Sequence, residues 1–142
     1  MTHARKLSIH DYMTQKPLTA DRSESVTSAR ARLLEAGVVL LPVLEAGRLV
    51  GTLSLSDMAL LEQLPEDGRD HLTVDAFMQR EFYAVGPEQP VDVAARAMAH
   101  RKHHAAVVVQ DERPIGVFTT TDALRALSDS LTDSLPGEVQ ID

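Results

Sequence analysis

The stretch Leu49-Val50-Gly51-Thr52-Leu53-Ser54-Leu55-Ser56-Asp57 returns, from its second residue on, as Ile115-Gly116-Val117-Phe118-Thr119-Thr120-Thr121-Asp122. Each copy is an apolar run, a glycine, a hydroxyl residue and an aspartate three positions after it. A displacement of 65 positions carries Gly51 onto Gly116, Ser54 onto Thr119 and Asp57 onto Asp122. Working outward, Arg48 to Ser54 reads as a strand. Glu45-Ala46-Gly47 is a tight turn before it, and Val38 to Leu44 is a partner strand apolar enough to be buried on both faces, with Pro42 near an edge or bulge. Upstream, Val26, Ala29 and Leu33 share one face of a helix that Ser23 or Ser25 can cap and Gly37 can end. Pro17-Leu18-Thr19-Ala20 is a brief extended piece, Ser8 to Met13 a helical turn, and Asp57 to Leu64 a short apolar helix.

The second half repeats this order without a gap. Val74 and Met78 match Ile9 and Met13, Tyr83-Ala84-Val85 match Leu18-Thr19-Ala20, and Val91, Ala94 and Met98 match the helical face. Ala105 to Val109 and Pro114 to Phe118 match the two strands, with Asp111-Glu112-Arg113 between them. The expected division is therefore an arm over 1–7, one repeat over 8–64, a polar linker over 65–70, a second repeat over 71–128, and a helix end and tail over 129–142. Leu124, Leu127 and Leu131 form a one-sided stripe on that last helix, which Leu135-Pro136-Gly137 should end; the stripe either closes this chain's core or packs on another copy. A half of about 55 to 60 residues is at the margin for burying enough surface alone, so the halves should share a core about a pseudo-twofold axis, and any cleft between them should occur twice.

Composition limits the chemistry. The chain has 142 residues, 44% of them apolar, which suits one compact globular unit. A net charge of -7 disfavours nucleic acid as a partner. No run is long and apolar enough for a membrane helix, and the basic start lacks the apolar region of a signal peptide, so a cytoplasmic setting is expected, without membrane association. Cysteine is absent, which removes thiolate nucleophiles and thiolate metal sites. No nucleophile and base occur at recognisable spacing, and an enzyme is not expected. Against the acidic background, Arg96 to His104 is a local basic cluster.

The ordered pattern of helix, strand, strand, helix, with Leu41-Pro42-Val43-Leu44 before the turn and Gly51 to Asp57 after it, resembles a cystathionine-beta-synthase (CBS) domain. Ala106 to Val109 with Gly116 to Asp122 resembles a second, so that Ser8 to Ser128 looks like a tandem CBS pair, the Bateman module. The resemblance implies an α+β fold: two βαββα repeats packed through their sheets with pseudo-twofold symmetry. It also implies a homodimer, an adenosine-containing ligand of the AMP, ADP or ATP class as regulatory ligand with no required cofactor, and signalling to a separate partner protein. S-adenosylmethionine and NAD rank behind the nucleotides. The rival reading is a structural or interaction module with vestigial clefts.

Ser54-x-x-Asp57 and Thr119-x-x-Asp122 also match a helix capping box, which needs no ligand. A carboxylate beside a cleft can instead accept from both hydroxyls of a ribose, and the two roles coexist if the hydroxyl caps while the carboxylate faces out. In the resembled family, phosphate contacts come from the partner repeat just before its first long strand. Opposite Asp57 this places Lys102, His103 and His104; opposite Asp122 it places Gly37, Val38 and Val39, without a cation. The expected nucleotide site is therefore Ser54, Ser56, Asp57, Tyr83, Ala84, Lys102, His103 and His104, with Arg96 and Arg101 as possible substitutes for an arginine that the family often has where Ala105 stands here. A second, less charged cleft would comprise Thr19, Ala20, Val39, Thr119, Thr121 and Asp122. The basic cluster could also be cations placed favourably at a helix C-terminus. His100, His103 and His104 could converge on a metal, but no carboxylate sits among them, and no metal site is expected.

Overall fold

The computed structural model describes residues 7–134. The expected arm before Leu7 and the tail and helix stop at Leu135-Pro136-Gly137 lie outside the described residues. The first half contributes α1 (Ile9–Tyr12), β1 (Thr14–Gln15), β2 (Ala20–Asp21), α2 (Val26–Ala36), β3 (Leu40–Glu45), β4 (Arg48–Ser54) and a 3-10 helix (Ser56–Gln63). After α3 (Glu66–Arg69), which forms one helical turn where a polar linker was expected, come a 3-10 turn (Val74–Ala76), β5 (Ala84–Val85), α4 (Val91–Arg101), β6 (Ala105–Gln110), β7 (Arg113–Thr119) and α5 (Thr120–Ser134). The strands form a three-stranded sheet, β2-β3-β4, and a four-stranded sheet, β1-β7-β6-β5. The sheets adjoin through β4 and β7, and the Leu49 amide of β4 donates to the carbonyl of Glu112, in the turn just before β7, at 3.2 Å.

Local chemistry accounts for the elements. Ser25 caps α2 by accepting from the Ser28 amide, and Gly37 ends it in the left-handed conformation at φ 66°. Both hairpins turn on two residues with positive φ, Ala46-Gly47 and Asp111-Glu112, the geometry that suits the right-handed twist of the flanking strands. Pro42 lies in the middle strand of its sheet, opposite Thr52. It is tolerated because β2 is only two residues long and pairs with Val43 and Leu44, beyond the proline; the register shift falls directly after, between Val43 and Leu44. At the matching position in the second half, the Val107 amide donates to the Tyr83 carbonyl, a bond that a proline could not make.

The halves do not share one core, as size alone suggested; they exchange their opening segments and close two. Ile9 is wholly buried among Val85, Val91, Ala94, Met98 and Phe118 of the second half, whereas Val74 and Met78 pack among Val26, Ala29, Leu33, Leu41 and Leu53 of the first. Backbone bonds repeat the exchange in register. Val74 N donates to Glu24 O and Val26 N to Leu72 O, and Ile9 N donates to Gln89 O and Val91 N to Leu7 O. Each marginal half thus gains the apolar area it lacks from the other. The same exchange explains Gly51 and Gly116. A Cβ on Gly51 would lie 2.8 Å from the Gln79 carbonyl oxygen and 2.9 Å from Met78 Sδ, and one on Gly116 would lie 2.7 Å from Met13 Sδ and 2.9 Å from the Thr14 carbonyl oxygen.

Candidate functional site

Three segments meet at the first cleft. Residues 54–57 leave β4 for the 3-10 helix, Gln79 and Glu81 to Tyr83 follow the exchanged segment, and Lys102 to Ala105 connect α4 to β6. Together with Val39, Leu40 and Thr52 they line a cavity of about 520 Å³. Ser54, Ser56, Asp57, Tyr83, Lys102, His103 and His104, nominated from sequence, all line it. Ala84 does not: it lies in β5, paired with Val107. Val39, assigned to the second cleft, lines the first cavity instead, because the turn after α2 packs beside the pseudo-equivalent turn after α4.

Asp57 divides its two oxygens between two tasks. Oδ2 accepts from the Ser54 amide at 2.8 Å and the Ser54 hydroxyl at 2.9 Å, while Ser54 Oγ accepts from the Asp57 amide at 3.4 Å, completing a capping box. Oδ1 accepts a single bond, from the exposed Gln79 side-chain amide at 3.0 Å. A carboxylate oxygen has room for further donors, so this one can receive hydroxyls that displace a neutral amide.

The cationic side of the cavity is built on the end of α4. Lys102 adopts φ 59° where the first half has Gly37 at φ 66°. A lysine in the left-handed region costs of order 1 kcal/mol relative to glycine. Its carbonyl-capping geometry is nevertheless kept: Lys102 N donates to Ala99 O and His103 N to Met98 O. The His103 ring stacks on Tyr83, with centroids 6.3 Å apart and planes at 11°, and the Arg101 guanidinium lies 5.7 Å from the same ring centroid. Tyr83 is half-buried, and its hydroxyl takes part in a 3.2 Å hydrogen bond from Gln89 Nε2. Arg101 therefore lies against the Tyr83 ring and borders a neighbouring cavity with Gln79 and Glu81; Arg96 is exposed on α4 and is not among the described residues lining either cavity. Among the described residues, no group of three or more His, Asp or Glu side chains is assembled to hold a metal.

Sequence reasoning missed Gln79, Glu81 and Phe82, which line the cavity. The displaced register carries Thr14 onto Gln79 and Lys16 onto Glu81 but gives neither pair a role, and their position depends on the segment exchange, which no local pattern encodes. Glu81 adds a second carboxylate to the cavity that Lys102 also lines.

The residues nominated for the second cleft lie in different settings. Ala20 is buried in the first core, the Thr19 carbonyl accepts from Arg32 at 2.9 Å, and Thr121 is exposed on α5. Asp122 is 4% exposed. Its Oδ2 repeats the capping box with Thr119, but its Oδ1 accepts from the Arg125 guanidinium at 2.6 Å.

Comparison with known proteins agrees with this architecture. The A-adding tRNA nucleotidyltransferase of Aquifex aeolicus is 31% identical over 127 residues, covering 89% of this chain but only 15% of that protein. The chain likewise spans 13% of the corresponding Geobacter sulfurreducens protein, so these relatives are similar to it over a small part of their length. Among solved structures, the CBS domain pair of protein MJ0100 in complex with methylthioadenosine and S-adenosyl-L-methionine is 26% identical with a TM-score of 0.77, covering 88% of this chain and 98% of that one. CBSX2 in complex with AMP is 28% identical with a TM-score of 0.74, covering 86% and 96%. The family model for the CBS domain matches residues 9–61 and again 74–129, and this chain accordingly belongs to the CBS domain family, as a tandem pair.

Proposed function

We propose that this CBS pair is a regulatory module that binds an adenosine-containing ligand of the AMP, ADP or ATP class in the first cleft and signals to a separate protein partner in a cytoplasmic setting. The observation that carries this reading is the cavity of about 520 Å³ that opposes Asp57 of one repeat to Lys102, His103 and His104 of the other. Asp57 Oδ1 receives ribose hydroxyls in place of the Gln79 amide, and the turn after α4 supplies charge to phosphate. The complexes of MJ0100 and CBSX2 with adenosine compounds support the ligand class. A ligand that binds only the native state must stabilise it, so titration with AMP, ADP, ATP, S-adenosylmethionine and NAD should raise the melting temperature for at least one nucleotide. No shift from any of them at millimolar concentration would reject the sensor reading in favour of a scaffold with vestigial clefts.

The proposed homodimer uses the outer face of α4 and α5, where Val93, Leu124 and Leu127 are exposed. The matching positions in the first half are Ser28, Ala59 and Glu62, and there Arg30 and Glu62 form a salt bridge of 2.9 Å across the face. A second copy is the occupant that fits. Asp92 and Arg96, one turn apart on α4, present opposite charges that an antiparallel twofold mate would pair reciprocally. Leu127→Glu should convert a dimer to a monomer in sedimentation; an unchanged dimer would place the interface elsewhere.

A further inference from the structure

We propose that Arg125 locks the second cleft, so that each chain takes one adenosine-type ligand; the inference rests on the reading of the first cleft above. The two aspartates sit at pseudo-equivalent positions and share the same capping partners, a backbone amide and a hydroxyl three residues earlier. They differ in what holds the remaining oxygen. On Asp57 it is a neutral, exposed amide from Gln79 at 3.0 Å. On Asp122 it is the Arg125 guanidinium at 2.6 Å, and the Asp122 side chain is only 5% exposed.

Arg125 has a second acceptor. Its Nη2 also donates to the Tyr12 carbonyl at 3.2 Å, which ties the exchanged N-terminal segment to α5 over the carboxylate. The displaced register places Leu60 where Arg125 stands, and Leu60 is 64% exposed and can make neither bond. A ribose entering the first cleft exchanges one neutral donor for another. Entering the second, it must displace a charge-assisted bond made by a guanidinium that is 60% exposed but held by Asp122 and the Tyr12 carbonyl together.

Isothermal titration of the full chain with AMP tests the lock. The wild type should bind one AMP per chain. Arg125→Leu, which installs the side chain found at Leu60, should bind two, and Asp122→Asn in that background should restore one. Two sites in the wild type, or a single site in a folded Arg125→Leu chain, would overturn the proposal. A second measurement does not depend on that variant folding: Asp57→Asn should abolish AMP binding altogether, and residual binding that Asp122→Asn then removes would show the second cleft open. No binding by the wild type would instead reject the nucleotide reading itself.

Discussion

Replacing Gly51 with alanine tests the segment exchange and its link to the cleft in one experiment. Gly51 has an ordinary negative-φ strand conformation, so the cost of a methyl group there is steric and not conformational. The new Cβ would fall 2.8 Å from the Gln79 carbonyl oxygen and 2.9 Å from Met78 Sδ. The thioether is flexible and can swing away, but the carbonyl is fixed, because Gln79 exchanges both backbone bonds with Thr52, at 2.8 and 3.0 Å. Overpacking of this kind costs about 1–3 kcal/mol. With a urea slope of about 2 kcal/mol per molar, a loss of about 2 kcal/mol moves the unfolding midpoint down by about 1 M. Met78→Ala in the Gly51→Ala background should recover only the sulfur's share. Gly116→Ala should cost a similar amount, since its Cβ meets Met13 Sδ at 2.7 Å and the Thr14 carbonyl oxygen at 2.9 Å. The two variants differ in binding: Gly51→Ala strains β4 against the segment that lines the first cavity and should weaken AMP, whereas Gly116→Ala should leave AMP affinity alone. A loss below about 0.5 kcal/mol for Gly51→Ala, or equal effects of both variants on AMP, would refute the reasoning.

Lys102→Gly should raise stability by about 0.5–1 kcal/mol in urea denaturation, by relieving a lysine held at φ 59°, while weakening nucleotide affinity. A destabilised variant would show that the lysine side chain, and not its backbone, dominates the turn. Ile9→Ala, at a site with no exposure, should cost about 2–5 kcal/mol and accelerate amide exchange first in β5, β6 and β7, because Ile9 belongs to the second core. Faster exchange confined to β3 and β4 would contradict the exchange of segments. Asp21 has its carboxyl held below the ordinary carboxylate range, chiefly by the Ser23 hydroxyl and then by the Ser23 amide. A carboxyl lowered on folding stabilises above its unfolded pKa, and that contribution disappears as pH falls through the lowered folded value. Ser23→Ala should therefore raise the Asp21 pKa in an NMR titration, and an unmoved pKa would assign the effect elsewhere.

The repeat and its elements were legible because they are written in local pattern. Gly37 ended α2, Ser25 capped it, and the Ser54-to-Asp57 spacing formed a capping box. The exchange was not legible. Ile9 and Val74 are apolar in either arrangement, and nothing in periodicity says whether such a residue fills its own repeat's core or its neighbour's. The charge at the second cleft was misjudged for a related reason. Counting cations only in the turn after α2 overlooked Arg125, which lies beyond Asp122 on α5, in the next helical turn, and reaches the carboxylate from its own helix.

Segment exchange also fixes how a ligand in the first cleft would act on the whole chain. Asp57 follows β4 of the first sheet, Lys102 to His104 precede β6 of the second, and Gln79 to Tyr83 run from a segment packed in the first core to β5 of the second. A molecule that bonds to Asp57 and to the turn after α4 thus bridges two sheets already joined by the chain between Met78 and Ala84. Gln79 stays with the first sheet, its backbone paired to Thr52 and its side chain donating to Oδ1 of Asp57. On the proposed reading, a ligand hydroxyl would compete with the Gln79 amide for that oxygen, so the arrangement in which Gln79 is released from Asp57 would be the one a ligand favours. Gln79→Ala removes the competing donor while leaving the backbone pairing, and should raise AMP affinity; a loss of affinity would mean that Gln79 contacts the ligand and does not stand in its place.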